Sequence, residues 1–320
     1  MWKKHKGFII QLIFLALCLV FIIKFLTKEK AEVKKALHIL SHADMRWLVF
    51  GIGLCLLLVL WQGIMYVLSF RTINTSIKLT DGILLYLKRN TAGVFLPAGG
   101  VTSLVLFTKH LEEKGISKEQ NYAATSIYGF CGILTVGLVA IPILAYLSLH
   151  SAVLKSEVAA LVGVIVILAA IAGVVISALK RGFIYKLLIK RIPRLVESIE
   201  RVRHFKFNKK YFFLVVLFSL AIELTGVGFL YAAMYAAGVK ASLSTALIGY
   251  AISILIFTIS PFMDGTGAIE IVLTYILKSS GYNISEAVSI TLIFRFFQFW
   301  FIILLGIVPL LTELKWLKKT

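Results

Sequence analysis

The sequence predicts an all-α polytopic membrane protein. About six full transmembrane helices are expected, with two broken helical hairpins that enter the membrane and return by the same side. Three observations predict this. Of the 320 residues, 60% are hydrophobic and only 15% charged, with a mean hydropathy of +0.94, whereas a soluble domain is closer to half apolar and a quarter charged. Several apolar runs reach about twenty residues, the length that a hydrocarbon core of about 30 Å requires. The basic residues behind the net charge of +19 collect between those runs: "MWKKHK" at the start, "LKRN" at 87–90, the stretch 180–210 and "KWLKKT" at the end. Charge placed in loops beside spans follows the positive-inside rule and the pull of anionic headgroups. No folded domain remains to offer nucleic acid a groove or a stacking platform, so no nucleic-acid partner is expected.

The elements follow in order. "FIIQLIFLALCLVFII" after "MWKKHKG" has no small-residue cleavage site behind it, so residues 8–26 are expected to be a retained first span, with Lys24 snorkelling to the interface. Residues 27–46 form an amphipathic connector. His38 and His42 share a helical face there at metal-binding spacing, but no third ligand stands nearby, and a solvated interfacial helix is the favoured reading. Further spans are expected at 47–69, 121–148, 158–179, 211–237 and 286–312. Residues 180–210 carry eleven Lys/Arg against Glu197 and Glu200, the strongest cytoplasmic marker in the chain. Phe183, Ile184, Leu187, Leu188, Ile192, Leu195 and Ile199 fall close to helical spacing within it, as in a helix lying on the inner leaflet, and Pro193 interrupts that helix. Cys18, Cys55 and Cys131 each sit inside an apolar run without a partner at zinc or redox spacing, and read as small buried hydrophobes.

Two apolar segments are broken. "GILLYLKRNTAGVFLPAGGVTSLVLFTKH" (82–110) and "ALIGYAISILIFTISPFMDGTGAIEIVLTYILK" (246–278) each join two half-length apolar stretches through Pro and paired Gly. Neither half crosses a bilayer alone, and non-helical backbone at that depth must be buried in protein or line a wet cavity. With both termini cytoplasmic, the first hairpin opens from the cytoplasmic side and the second from the outer side, and loop 180–210 falls inside. Each half of the chain then holds a span, a hairpin and a span in opposite orientation. Paired interruptions of this kind mark the midplane site of inverted-repeat transporters; two unrelated loops beside spans are the plain alternative.

Charged groups at membrane depth cost at least about 2.5–3.5 kcal/mol each, so each needs a reason. Arg295, in "TLIFRFFQFWF", cannot lose its proton and must meet a carboxylate, a carbonyl or a lipid phosphate. Glu270 opens the half-helix after "DGTG", either as a simple dipole-favoured first-turn carboxylate or as the partner of Arg295 in a gate or headgroup clamp. The two readings are compatible. Asp264 reads as a cap of that half-helix. Glu223 has no such local role and is a candidate for proton coupling, as is Glu270, or else the partner of a positive group on another helix. In the first hairpin, Arg89, Asn90 and a helix start near Thr102 and Ser103 form an anion site that suits a lipid phosphate. Lys109 and His110 read as interfacial anchors. No nucleophile elbow, P-loop, zinc-protease or dinucleotide motif occurs, so no metal, cofactor or ATP coupling is expected.

"SPFMDGTGAIE" (260–270), the downstream "RFFQFW" and the upstream "FLPAGG", followed by "GISKEQNYAATSIY", resemble the lysylphosphatidylglycerol synthase transmembrane family, the flippase-like membrane half of the multiple peptide resistance factor. Pro261, Gly265, Gly267, Glu270, Arg295 and Trp300 occupy the family's pattern positions, while Phe262, Met263 and Asp264 replace its usual Pro-Gly-Gly run. The resemblance implies a bacterial inner-membrane lipid flippase that moves an anionic or aminoacylated phospholipid between leaflets. Its headgroup is expected to meet Arg295, Glu270, Asp264, Gly265, Gly267, Arg89, Asn90, Thr102 and Ser103. The implied partners are the phospholipid substrate, anionic lipids of the inner leaflet, and a lipid-synthesising enzyme or a second copy. Full-length relatives also transfer lysine from charged tRNA through a soluble domain. The chain ends at Thr320, soon after its last span, and that activity is not expected of it alone. A non-transporting accessory subunit of a lipid-modifying enzyme is the alternative.

Overall fold

A computed structural model of the chain describes residues 41, 43–94, 109–150, 173, 205–259 and 267–317. The expected span 8–26, the span 158–179 apart from Gly173, most of loop 180–210, and the hairpin turns 95–108 and 260–266 lie outside the described residues. The described elements are helices: α1 (Met45–Thr72), α2 (Leu79–Val94), α3 (Lys109–Glu112), α4 (Lys118–His150), α5 (Lys209–Ala236), α6 (Leu243–Ile259), α7 (Ala268–Ser279), α8 (Ile284–Arg295), a π-helical turn (Phe296–Trp300) and α9 (Phe301–Leu317). No strand occurs among the described residues.

Four stretches are long and apolar enough to cross a membrane: Met45–Thr72, Lys118–Ile143, Lys209–Ala236 and Ile284–Pro309. At about 1.5 Å per residue, helices of this length reach roughly 40 Å, more than the hydrocarbon core. Their outer faces carry bare apolar side chains, among them Val49 and Phe50 on α1, Leu138 on α4, Phe213 and Leu224 on α5, and Val308 on α9. Such faces suit lipid. The chain is an all-α, multi-pass membrane protein. α2, α6 and α7 are shorter and occupy the expected arms of the two hairpins.

α1 and α5 form the centre of the bundle. They run antiparallel, because hydrogen bonds tie opposite ends together. The Asp44 amide at the start of α1 donates to the Ala236 carbonyl at 2.9 Å, and the Asn208 amide at the start of α5 donates to the Thr72 carbonyl at 2.8 Å. Side chains finish both starts: Asp44 accepts from the Arg46 amide, and Asn208 from the Lys210 and Tyr211 amides. Trp47 stacks on Tyr235 at 4.3 Å beside the first of these ties. The opposed directions agree with the topology expected for spans 47–69 and 211–237.

Around this pair, α2 packs between α1 and α9, α4 packs on α1, α5 and α6, and α8 packs on α5 and α7. α8 begins with a reciprocal cap in which Asn283 accepts from the Glu286 amide and Glu286 accepts from the Asn283 amide, both at 2.9 Å. The last span was expected as one helix over 286–312. It is continuous, but widens into the π turn at "FFQFW". Cys55 donates its thiol to the Phe297 carbonyl there at 3.3 Å, so one carbonyl of the altered turn has a partner on α1.

Candidate functional site

A cavity of about 260 Å³ opens inside the bundle, and its walls come from seven of these elements. α1 contributes Leu58, Gln62 and Tyr66; α2 contributes Tyr86, Arg89, Asn90 and Gly93; α4 contributes Tyr128. α5 supplies Ile222, Gly226 and Phe229, and α6 supplies Tyr250, Ile254 and Phe257. α8 and the π turn supply Arg295, Gln298 and Phe299. The first hairpin thus enters the wall through α2 and the second through α6. The volume suits a phospholipid headgroup; a whole lipid with its acyl chains is far larger.

Arg89 is buried, and three neutral acceptors orient it. Its guanidinium donates to Thr125 Oγ1 at 2.9 Å, to Tyr66 Oη at 3.4 Å and to Asn121 Oδ1 at 3.4 Å. It also lies 5.6 Å from the centre of the Tyr66 ring, a cation–π distance. Tyr66 in turn stacks on Tyr128 at 3.9 Å, and Tyr128 donates its hydroxyl to Gln62 Oε1. This wall is built by side chains of α1, α2 and α4 that hold one another in place.

Arg295 faces the same cavity from α8. Its Nε donates to Glu270 Oε1 at 2.7 Å, and its guanidinium lies 4.6 Å from the centre of the Phe299 ring. The other oxygen of Glu270, Oε2, accepts the Gly267 amide at 2.6 Å. One carboxylate therefore does two things: it satisfies an orphan amide at the start of α7 and it balances a buried guanidinium. Gly267 has φ +89°, a left-handed conformation that side-chain-bearing residues rarely adopt, so glycine is what allows the chain to turn into α7 at this point. The first-turn carboxylate and the pairing with Arg295 are thus both present in one side chain.

Glu223 is buried on α5 and accepts the Tyr250 hydroxyl through Oε2 at 2.8 Å. Tyr250 lines the cavity, so Glu223 stands behind the wall, one side chain removed from it. Gly226, three residues on and on the same helical face, makes the contact possible. A Cβ at Gly226 meets the Tyr250 ring and hydroxyl at 2.1–2.4 Å. Only a bare backbone lets that ring lie against α5.

A second cluster sits at the start of α2, outside the four spans. The Asp81 carboxylate is buried and accepts from Lys114 and from His110, the latter at 3.3 Å. Burial alone raises the Asp81 carboxyl, but the hydrogen bonds from Lys114 and His110 outweigh it and hold it below its ordinary value. The cluster ties α2 to α3 and its following turn, across the base of the first hairpin. His110, expected as an interfacial anchor, is here a polar partner of Asp81.

Of the residues singled out from the sequence, Arg89, Asn90 and Arg295 line one cavity, Glu270 and Gly267 meet beside Arg295, and Glu223 lies behind Tyr250. Asp264, Gly265, Thr102 and Ser103 lie outside the described residues. Sequence reading passed over Gln62, Gln298, Tyr66, Tyr128, Tyr250 and Asp81. Gln62 and Gln298 carried a usable signal, since an amide within an apolar span needs a polar neighbour. The tyrosines did not, because interfacial aromatic belts explain them equally well. Among the described residues no group of three His, Cys, Asp or Glu lies close enough to hold a metal ion.

Two guanidiniums and three amides around one cavity form a donor-rich site for an anion, with aromatic rings in its walls. The chain matches no curated protein and no solved structure. A family model does match, over residues 8–306, and its extent takes in α1 to α8, the π turn and the start of α9. The chain belongs to the family of the lysylphosphatidylglycerol synthase TM region.

Proposed function

We propose that the protein is a lipid translocase that carries an anionic or aminoacylated phospholipid between the leaflets of the bacterial inner membrane, with both termini cytoplasmic. One observation carries the reading. Arg89, from the first hairpin, and Arg295, from the last span, line a single headgroup-sized cavity inside the bundle. A phosphodiester between them makes charge-assisted hydrogen bonds while the acyl chains stay in lipid. Rocking of one half of the chain against the other then exposes the cavity to each leaflet in turn. Glu223, joined to the wall through Tyr250, is the carboxylate placed for proton coupling. The basic stretch 180–210 holds the cytoplasmic face against anionic lipid.

The test is headgroup translocation in proteoliposomes. Phosphatidylglycerol, lysylphosphatidylglycerol and a polyprenyl phosphate are compared, with Glu270→Gln and Arg295→Ala beside the native chain. The reading expects one lipid to move and both folded variants to lose that movement. No movement of any lipid by well-folded protein refutes it and favours an accessory subunit of a lipid-modifying enzyme.

A further inference from the structure

The cavity has acceptors as well as donors: amide oxygens on Gln62, Asn90 and Gln298, and, among its tyrosines, two whose protons are already committed. A phenol hydroxyl has one proton to give and two lone pairs to receive. Tyr250 gives its proton to Glu223 Oε2 at 2.8 Å, and Tyr128 gives its proton to Gln62 Oε1. Both residues line the cavity. With those protons taken by Glu223 and Gln62, the two phenol oxygens have only lone pairs left to offer a ligand. Glu223 and Gln62 set that polarity, Glu223 from behind the wall and Gln62 from within it.

Resting on the headgroup reading above, we propose that Tyr128 and Tyr250 are specificity-determining residues, which select a headgroup that carries a hydrogen-bond donor beyond its phosphate. The substrate class is then a phosphodiester bearing a hydroxyl or an ammonium group. Arg89 and Arg295 take the phosphate, and the two phenol oxygens take the donor. A headgroup of equal charge without a donor leaves buried polar atoms without partners, and that loss is where discrimination arises.

The rings are fixed independently of their hydroxyls. Tyr128 stacks on Tyr66 at 3.9 Å, and Tyr250 lies against Gly226. Tyr→Phe at each therefore removes the acceptor and keeps the packing. The experiment places the purified full chain in phosphatidylcholine nanodiscs and measures binding of acyl-labelled phosphatidylglycerol, lysylphosphatidylglycerol and phosphatidylmethanol. Phosphatidylmethanol carries the same phosphodiester charge as phosphatidylglycerol and no donor.

The expected result is binding of at least one donor-bearing lipid about tenfold tighter than phosphatidylmethanol, the scale of one neutral hydrogen bond. In Tyr128→Phe/Tyr250→Phe the gap closes. A preference for phosphatidylglycerol assigns the donor to hydroxyls, and one for its lysyl ester to the ammonium group. Equal binding of phosphatidylmethanol by the native chain overturns the proposal, as does an unchanged preference in the double variant. Folded protein that binds none of the three fails at phosphate recognition, and overturns the headgroup reading together with this one.

Discussion

Glu270→Gln separates the two bonds that one carboxylate makes. In the native chain Oε1 accepts from Arg295 Nε at 2.7 Å and Oε2 accepts from the Gly267 amide at 2.6 Å. Glutamine has one oxygen, so it keeps a single acceptor and turns an NH₂ group toward the other donor. Losing a charge-assisted hydrogen bond costs about 1.5–3 kcal/mol. Removing one partner of a fully buried ion pair costs about 3–5 kcal/mol, but Glu270 keeps 28% of its side-chain surface exposed, so the lower range applies. The expected loss is about 2 kcal/mol. Unfolding in mixed detergent–SDS micelles measures it, with the buried thiols of Cys55 and Cys131 reporting exposure to a maleimide dye. A cycle with Arg295→Met isolates the pair: if Arg295 and Glu270 act together, the double variant is about 2 kcal/mol more stable than the sum of the singles predicts. Additivity within about 0.5 kcal/mol refutes the pairing as a stabilising contact.

Other consequences are equally direct. Gly226→Ala drives a Cβ into the Tyr250 ring and is expected to cost about 1–3 kcal/mol, as overpacking does; Tyr250→Leu in the same chain should recover part of that loss in the same unfolding assay. Asp81 is held ionised by Lys114 and His110 with its carboxyl below the ordinary range. Its stabilisation is therefore complete above the unfolded carboxylate value of about 4 and is lost as pH falls through the lower folded value. Unfolding followed between pH 6 and pH 3 should show this acid loss in the native chain and a smaller one in Asp81→Asn. Arg89→Lys keeps the charge but gives up the fork that reaches Tyr66, Thr125 and Asn121; binding of an acyl-labelled anionic lipid should fall about tenfold or more, and an unchanged affinity removes Arg89 from the site.

Much of the fold was legible because membrane insertion imposes strong rules. Apolar runs of span length announced α1, α4, α5 and the α8–α9 span, and the half-length stretches flanking Pro and paired Gly announced α2, α6 and α7. The cost of a buried guanidinium was enough to send Arg295 in search of a carboxylate, and Glu270 was named from that need. What stayed hidden depends on tertiary contact. That one headgroup meets both Arg89 and Arg295 was expected only through the family resemblance, since nothing in "YLKRN" itself ties Arg89 to a residue about two hundred positions later. Glu223 was singled out without its partner, because Tyr250 reaches it only across a notch at Gly226 that no sequence pattern marks. The π turn in "RFFQFW" was equally invisible, since an inserted residue in a helix leaves apolar periodicity nearly intact over one turn. Asp81 escaped notice as an ordinary first-turn acid, and only packing shows it buried between Lys114 and His110.

The most direct measurement is an experimental density map of the full chain in nanodiscs that contain phosphatidylglycerol and its lysyl ester. The account predicts a phosphate between Arg89 and Arg295, with the headgroup inside the cavity and the acyl chains outside the bundle. A map in which that cavity holds only water, while lipid is ordered solely around the outer faces of α1, α5 and α9, contradicts it.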